Sequence, residues 1–272
     1  MRLSAITLFI LCLVPALLNT AMGQGFAISP SRIFFNGNPG ETVTQTVTFS
    51  NTSASPLSFT TRIQDWKRDS TGNKIYFDSG TQPASNARWI TLSTNAIVLQ
   101  PGENKEVIVS LTIPQDARTL TSSMLFFTQM KEQKPIEAGA VAAVGINVLM
   151  EVGIQVYYSP KGLNPGEFEF LAFEDRGIIT DGAIKNRRLA LKIHNKGALN
   201  KDAFIRFELT NKETGEELKF DPVTLAMLPE ATQWVFLKLP AELKGKFLAV
   251  ALLDAGSSYD LKVAEKEIIY RP

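Results

Sequence analysis

Apolar residues recur at every second position along most of this chain, and that period commits it to β-structure. The longest case runs from Val144 to Tyr158. Val144, Ile146, Val148, Met150, Val152, Ile154, Val156 and Tyr158 are all apolar, while the odd positions include Gly145, Asn147, Glu151, Gly153 and Gln155. In a strand, side chains two apart share a face, so all the even positions line one side. At about 3.3 Å per residue such a strand is roughly 50 Å long, against a usual five or six residues. A single small sandwich has no need of it.

Shorter runs repeat the pattern. Val43, Val47 and Phe49 alternate with Thr and Ser. Leu57, Phe59 and Ile63 share one parity after the turn at 53–56, and Val107, Val109, Leu111 and Ile113 run between Pro101-Gly102 and Pro114. Short apolar stretches bounded by Gly, Pro, Asn and Ser at intervals of about 8–12 residues are the signature of antiparallel sandwiches. No sustained helical period follows the N-terminal segment; Gln115–Ser123 has room for one helical turn. Ser159–Gly166 packs Pro160, Gly162, Pro165 and Gly166 into one stretch, which cannot continue a ladder and is the expected domain boundary. Beyond it, strands are expected at Leu189–Ile193, Ala203–Leu209, Trp234–Leu239, Phe247–Leu253 and Lys266–Tyr270. The fold class is therefore all-β, with two sandwich domains in tandem over residues 24–160 and 161–272. No sequence motif shared by the two halves is expected, only a common architecture.

Residues 1–23 have the form of a secretory signal: Met1-Arg2, an apolar run from Leu3 to Leu18, then small residues at Ala21 and Gly23. The run is short for a span of about 20 residues, and cleavage is expected near Gly23. Cys12 leaves with it, so the mature chain has no cysteine and must rely on domain-sized cores rather than disulfides. A periplasmic location follows as the expectation.

Charge and composition remove several function classes. Lys and Arg number 28 against 27 Asp and Glu, which leaves no basic excess for neutralising nucleic-acid phosphates. One His and one Cys give no basis for a His/Cys metal site or a Cys–His or Ser–His catalytic pair. No P-loop, G-x-S-x-G or dinucleotide fingerprint occurs. The expectation is a protein that is not an enzyme and takes no cofactor and no metal. Trp66, Trp89 and Trp234 read as core aromatics, and His194 as a turn-facing or core residue.

Five segments, in order, carry a family resemblance. Ile28-Ser29-Pro30-Ser31-Arg32-Ile33-Phe34-Phe35, expected as one opening strand, places an arginine just before an apolar run, and Val47-Thr48-Phe49-Ser50-Asn51 is a strand ending in Asn. Leu99-Gln100-Pro101-Gly102 forms an L-x-P-G turn. Ile113-Pro114-Gln115-Asp116-Ala117-Arg118 precedes Ser123-Met124-Leu125-Phe126-Phe127, and Val156-Tyr157-Tyr158-Ser159-Pro160 closes the long strand. Over residues 26–160 the chain resembles the periplasmic pilus (fimbrial) chaperones, the PapD-like family. The resemblance implies immunoglobulin-like sandwiches and a role in fimbrium biogenesis in the cell envelope. There the long strand is lent to a pilus subunit that lacks its own last strand.

The positions matching the donated residues are Ile146, Val148 and Met150, with Val144 and Val152 as extensions. Strand addition works through backbone hydrogen bonds along an exposed edge, with alternate side chains filling the guest's groove. The plain alternative is that these residues form one face of an ordinary half-buried strand. The resemblance also implies an anchor for the guest's terminal carboxylate between an arginine and a lysine. Arg32 matches the arginine, whose fork suits a carboxylate; a solvated edge residue or structural ion pair is its plain alternative. The lysine position falls on Gln155, which offers a neutral donor, so the anchor is expected to be weaker or differently built. Lys161 and Lys192 could substitute by charge alone. Implied partners are a pilus-like or other envelope subunit, an outer-membrane assembly protein, and a second copy capping the apolar edge as a dimer. The rival function is a structural or adhesive tandem module that docks by a folded face.

Overall fold

The computed structural model describes residues 25–130 and 149–270. The first sandwich consists of β1 (Phe26–Ser29), β2 (Arg32–Phe35), β3 (Thr42–Asn51), β4 (Leu57–Arg68), β5 (Lys74–Phe77), β6 (Ile90–Leu92), β7 (Ala96–Leu99), β8 (Asn104–Thr112), β9 (Thr121–Gln129) and β10 (Glu151–Tyr158). One sheet has the order β1-β3-β8-β6; the other runs β2-β10-β9-β4-β5, with β7 beside β4. Val47, Phe49, Val107, Val109 and Leu111 from the first sheet meet Phe35, Phe59, Phe127, Ile154 and Val156 from the second, all fully buried. Each contributing strand lends the core one parity, as the period of two requires.

The second sandwich comprises β11 (Phe168–Asp181), β12 (Ile184–Asn195), β13 (Lys201–Asn211), β14 (Glu217–Lys219), β15 (Val223–Met227), β16 (Thr232–Pro240), β17 (Gly245–Asp254) and β18 (Lys262–Tyr270). Its sheets are β11-β12-β16 and β14-β13-β17-β18, with β15 against β13. Leu189, Leu191 and Ile193 pack there on Ile205, Phe207, Leu225 and Leu253. Among the described residues no sheet mixes strands from the two sandwiches.

Three expectations need correction, and one lies largely outside the described residues. Gln115–Ser123 holds no helical turn: Thr121–Ser123 already belong to β9 and are buried, because sheet neighbours outweigh local propensity. The segment Ile28–Phe35 is two strands rather than one. β1 pairs with β3 in one sheet and β2 with β10 in the other; Pro30, without an N–H, cannot carry a ladder across the gap. Of the long strand, the described part begins only at Glu151, although the Met150 carbonyl still accepts from Gln129 N–H at 2.8 Å. Val144, Ile146 and Val148 lie outside the described residues.

The third correction is a repeat. Asn51, 1% exposed, donates through Nδ2 to the carbonyls of Ser55, Leu99 and Gln100 at 2.9, 3.2 and 3.1 Å. Its Oδ1 accepts from Ser53 N–H at 2.9 Å. Asn195, also buried, donates to the carbonyls of Leu199 and Leu228 at 2.8 and 3.0 Å and accepts from Gly197 N–H at 3.1 Å. Both close their strand by reaching i+4 and i+2, and both sit opposite a phenylalanine, Phe26 and Phe168. The halves do share a motif: apolar-x-apolar-x-Asn-x-small-Ala, at Val47–Ala54 and Leu191–Ala198.

Candidate functional site

The sheet containing β10 has a second face, directed away from its own core. Its registers put Arg32 opposite Gln155 and Gln155 opposite Met124, which in turn faces Gln64, so these four form one row across β2, β10, β9 and β4. The adjoining rows hold Phe34 and Tyr157 on one side and Gly153 with Phe126 on the other. At the hairpin joining β4 to β5, Trp66 faces Tyr76 and Arg68 faces Lys74. Trp66, Leu120, Met124, Phe126 and Tyr157 are buried on this face, with the half-buried Leu163, Leu199 and Leu228 packed against them. Trp66 is thus interface rather than sandwich core.

The second sandwich closes over part of this face. Trp234 N–H donates to the Ser70 carbonyl at 2.7 Å, tying the hairpin tip to β16. Arg32 forms an ion pair with Asp202 of β13. Between the sandwiches lies a cleft of about 540 Å³, lined by Arg32, Arg68, Lys74 and Gln155 on one side and by Gln233, Trp234 and Phe236 on the other. Gln155 is 7% exposed, and its Oε1 accepts from the Tyr157 hydroxyl at 2.7 Å. The amide nitrogen is its remaining donor.

The face is electrically lopsided. Burial, reinforced by the positive charges of Arg68 and Arg32, pulls the Lys74 amine below its ordinary value. Tyr157 is pushed up to about 12, mainly by burial. A phenol whose folded value exceeds its unfolded one stabilises the fold fully below the unfolded value, near pH 10. That contribution is lost as pH rises from 10 towards 12. At about 1.4 kcal/mol per pH unit, Tyr157 accounts for roughly 2–3 kcal/mol of alkaline destabilisation. Unfolding titrations over that window should show the loss, and Tyr157→Phe should flatten it by about that amount.

The outer edge of β10 is the other notable element. On one side β10 pairs with β9 along its whole length, from Glu151 to Tyr158. On the other side β2 covers only Gln155–Tyr158. Gln155 N–H points towards β2, donating to Ser31 O, and Ser159 N–H to Phe35 O. Backbone direction alternates with residue parity, so the N–H and C=O groups of Glu151 and Gly153 point to the same, uncovered side. Among the described residues no strand pairs with them there. Beside this edge, Met150 and Val152, both half-buried, line a groove of about 500 Å³ with Phe26, Ile28 and Glu151. Glu151 is tied to Arg62 at 2.8 Å, and the Arg62 hydrogen bonds hold its carboxyl below the usual range.

The structure thus brings Arg32 and Gln155 side by side, and sets Met150 and Val152 at the open end of the same strand. Lys161 and Lys192 do not line the cleft: Lys192 lies over the Trp234 ring at 5.5 Å. Sequence reasoning missed Arg68, Lys74 and Asp202. The first two had a signal. Asp69-Ser70-Thr71-Gly72-Asn73 is a turn, with Gly72 at φ 89°, and a hairpin folded there puts Arg68 opposite Lys74. Asp202 had none, since only the packing of the sandwiches brings it to Arg32.

No protein-family model matches the chain, and no curated protein matches it. Solved structures of similar fold do exist, and many are fimbrial chaperones. The YadV chaperone is 11% identical, with 90% of this chain and 100% of that one covered and a TM-score of 0.48. The chaperone CfaA of class 5 fimbriae is 10% identical, covering 90% and 99%, TM-score 0.45. The CsuC–CsuE chaperone–tip adhesion subunit complex of Acinetobacter baumannii is 14% identical, covering 78% and 90%, TM-score 0.44. Likeness at this level concerns chain architecture and says nothing of the cleft residues.

Proposed function

We propose that this chain is a non-enzymatic, chaperone-like protein of the bacterial periplasm, with domains at residues 24–160 and 161–272 behind a cleaved signal peptide. It binds a pilus-type or other envelope subunit by donor-strand complementation, keeps it from aggregating and hands it on for assembly. The observation that carries this reading is the half-covered edge of β10. Uncovered backbone at Glu151 and Gly153 can pair with a guest strand. Ile146, Val148 and Met150, with Val144 and Val152, have the parity to fill the guest's groove.

Where β2 begins, at Arg32 opposite Gln155, a guest strand on that edge must stop. Its end then lies among cations, which favours a terminal carboxylate over an amine and so a guest running parallel to β10. Arg32 and Gln155 are the nearest groups to hold it. Release needs no ATP or metal, since another strand can exchange for the edge. The rival reading, a structural tandem module, is favoured by Ile154, Val156 and Tyr158, which are wholly committed to their own core; the two readings part at residues 144–152.

The test is a pull-down from the native periplasm with a Val148→Asn/Met150→Asn variant beside the wild type. Losing two apolar side chains from the guest's groove should weaken capture of a small β-rich subunit by about a hundredfold, with the unfolding temperature unchanged. A variant that unfolds, or one that captures as well as the wild type, makes this strand ordinary core. A wild type that captures no subunit points to the structural module.

A further inference from the structure

We infer that Arg68 and Lys74, rather than Gln155, are the charged half of a carboxylate site in the cleft, and that Asp202 is its built-in competitor. This rests on the reading of the β10 edge as a capture site, and names the residues that receive the guest's chain end.

The hairpin of β4 and β5 contains a pairing that a stable hairpin would avoid. Arg68 and Lys74 are directly opposed across β4 and β5, and like charges in that position repel. Among the described residues no carboxylate lies within ion-pair distance of either. Arg32 adds a third cation to the same cleft, and Asp202 is the single carboxylate paired with it. Among the described residues two positive charges are thus left without a counter-ion at the mouth of a cavity large enough for a chain end.

They are also held in place. Both lie over the Trp66 ring, at 5.6 and 5.9 Å from its centroid, where the aromatic face attracts cations. Arg68 Nη1 donates to the Gly72 carbonyl at 2.6 Å, which fixes the guanidinium and leaves its other N–H groups to the cleft. Gly72 in turn packs against Gln233 of the second sandwich. Burial lowers the Lys74 amine most, and the neighbouring charges of Arg68 and Arg32 lower it further. Gln155, buried in the middle of this set, adds a neutral amide donor.

Asp202 then has a specific part. Its side chain and that of Arg32 are 49% and 33% exposed, and a pair so open to water is worth little. An incoming carboxylate can displace it from Arg32 at small cost. Until then Asp202 keeps the site partly neutral and discourages stray anions.

The experiment uses purified protein labelled for side-chain NMR and titrated with sodium acetate at constant ionic strength, with acetamide as the uncharged control. Acetate should move the Lys74 Nζ and Arg68 Nε resonances saturably, and acetamide should not. Lys74→Gln or Arg68→Gln should weaken acetate binding about tenfold, the scale of one charge-assisted hydrogen bond. Asp202→Asn should tighten it several-fold, with backbone amide spectra unchanged. If the two resonances respond no more than exposed lysines elsewhere, or if Asp202→Asn fails to tighten binding, the inference is overturned. The pull-down separates the two claims: capture without an acetate site removes this inference alone, and an acetate site without capture removes the edge reading alone.

Discussion

Replacing Asn51 with alanine is expected to cost the first sandwich about 3–5 kcal/mol, several times what a surface substitution costs. The side chain is almost wholly buried and satisfies three carbonyls, those of Ser55, Leu99 and Gln100. It also takes the Ser53 N–H. Alanine removes one residue's polar atoms and leaves several partners without bonds in places where water enters poorly. Each such orphan costs about 1–3 kcal/mol, tempered where the site is partly exposed. The loss is topological as well, because Asn51 ties the end of β3 to the β7–β8 connection. Denaturant unfolding, with amide hydrogen exchange resolving each sandwich, is the measurement. The first sandwich should lose its protection while the second keeps it. Equal loss in both would mean that the sandwiches unfold as one unit, and no loss would mean that the carbonyls find other donors.

The sequence discloses some of this and hides the rest, for identifiable reasons. β3, β8, β12 and β13 are legible because each buries one parity against a two-sheet core, which is what a period of two encodes. β11 is not: register shifts between Phe170 and Ala172 and between Asp175 and Ile178 insert residues that move the apolar side chains from one parity to the other. The Asn51 and Asn195 closures escaped notice because the shared feature is a hydrogen-bond pattern with different residues around it, Thr-Ser in one half and Lys-Gly in the other. In the site, Arg32 and Gln155 could be named only through the family resemblance of the segments they belong to. Their adjacency depends on the parallel pairing of β2 with β10, which no local pattern reveals. Asp202 is more distant still, a residue of an ordinary alternating strand whose meaning comes only from the opposite sandwich.

The second closure predicts an effect of the same size by a different mechanism. Gly197→Ala would place a Cβ 1.7 Å from the Pro165 carbonyl oxygen and 2.6 Å from its carbon, far inside van der Waals contact and against backbone rather than a side chain that could swing aside. The segment leading from β10 into β11 must therefore lift. With it go the bonds from Ala198 N–H to Asn164 O and from Lys196 N–H to Glu167 O, both 2.9 Å. Two hydrogen bonds at about 1 kcal/mol each, with overpacking strain of about 1–3 kcal/mol, bring the expected cost to roughly 3–5 kcal/mol. The consequence reaches the cleft, because Leu163 of the same segment and Leu199 just past the turn both pack on the cluster containing Trp66 and Tyr157. Thermal unfolding should show the second sandwich melting earlier, and limited proteolysis should open the chain near residues 159–167. If stability falls but the Lys74 and Arg68 resonances of the folded protein stay as in the wild type, the turn supports only its own sandwich. If those resonances move as well, the Asn195–Gly197 turn helps set the distance across which the two sandwiches hold a chain end.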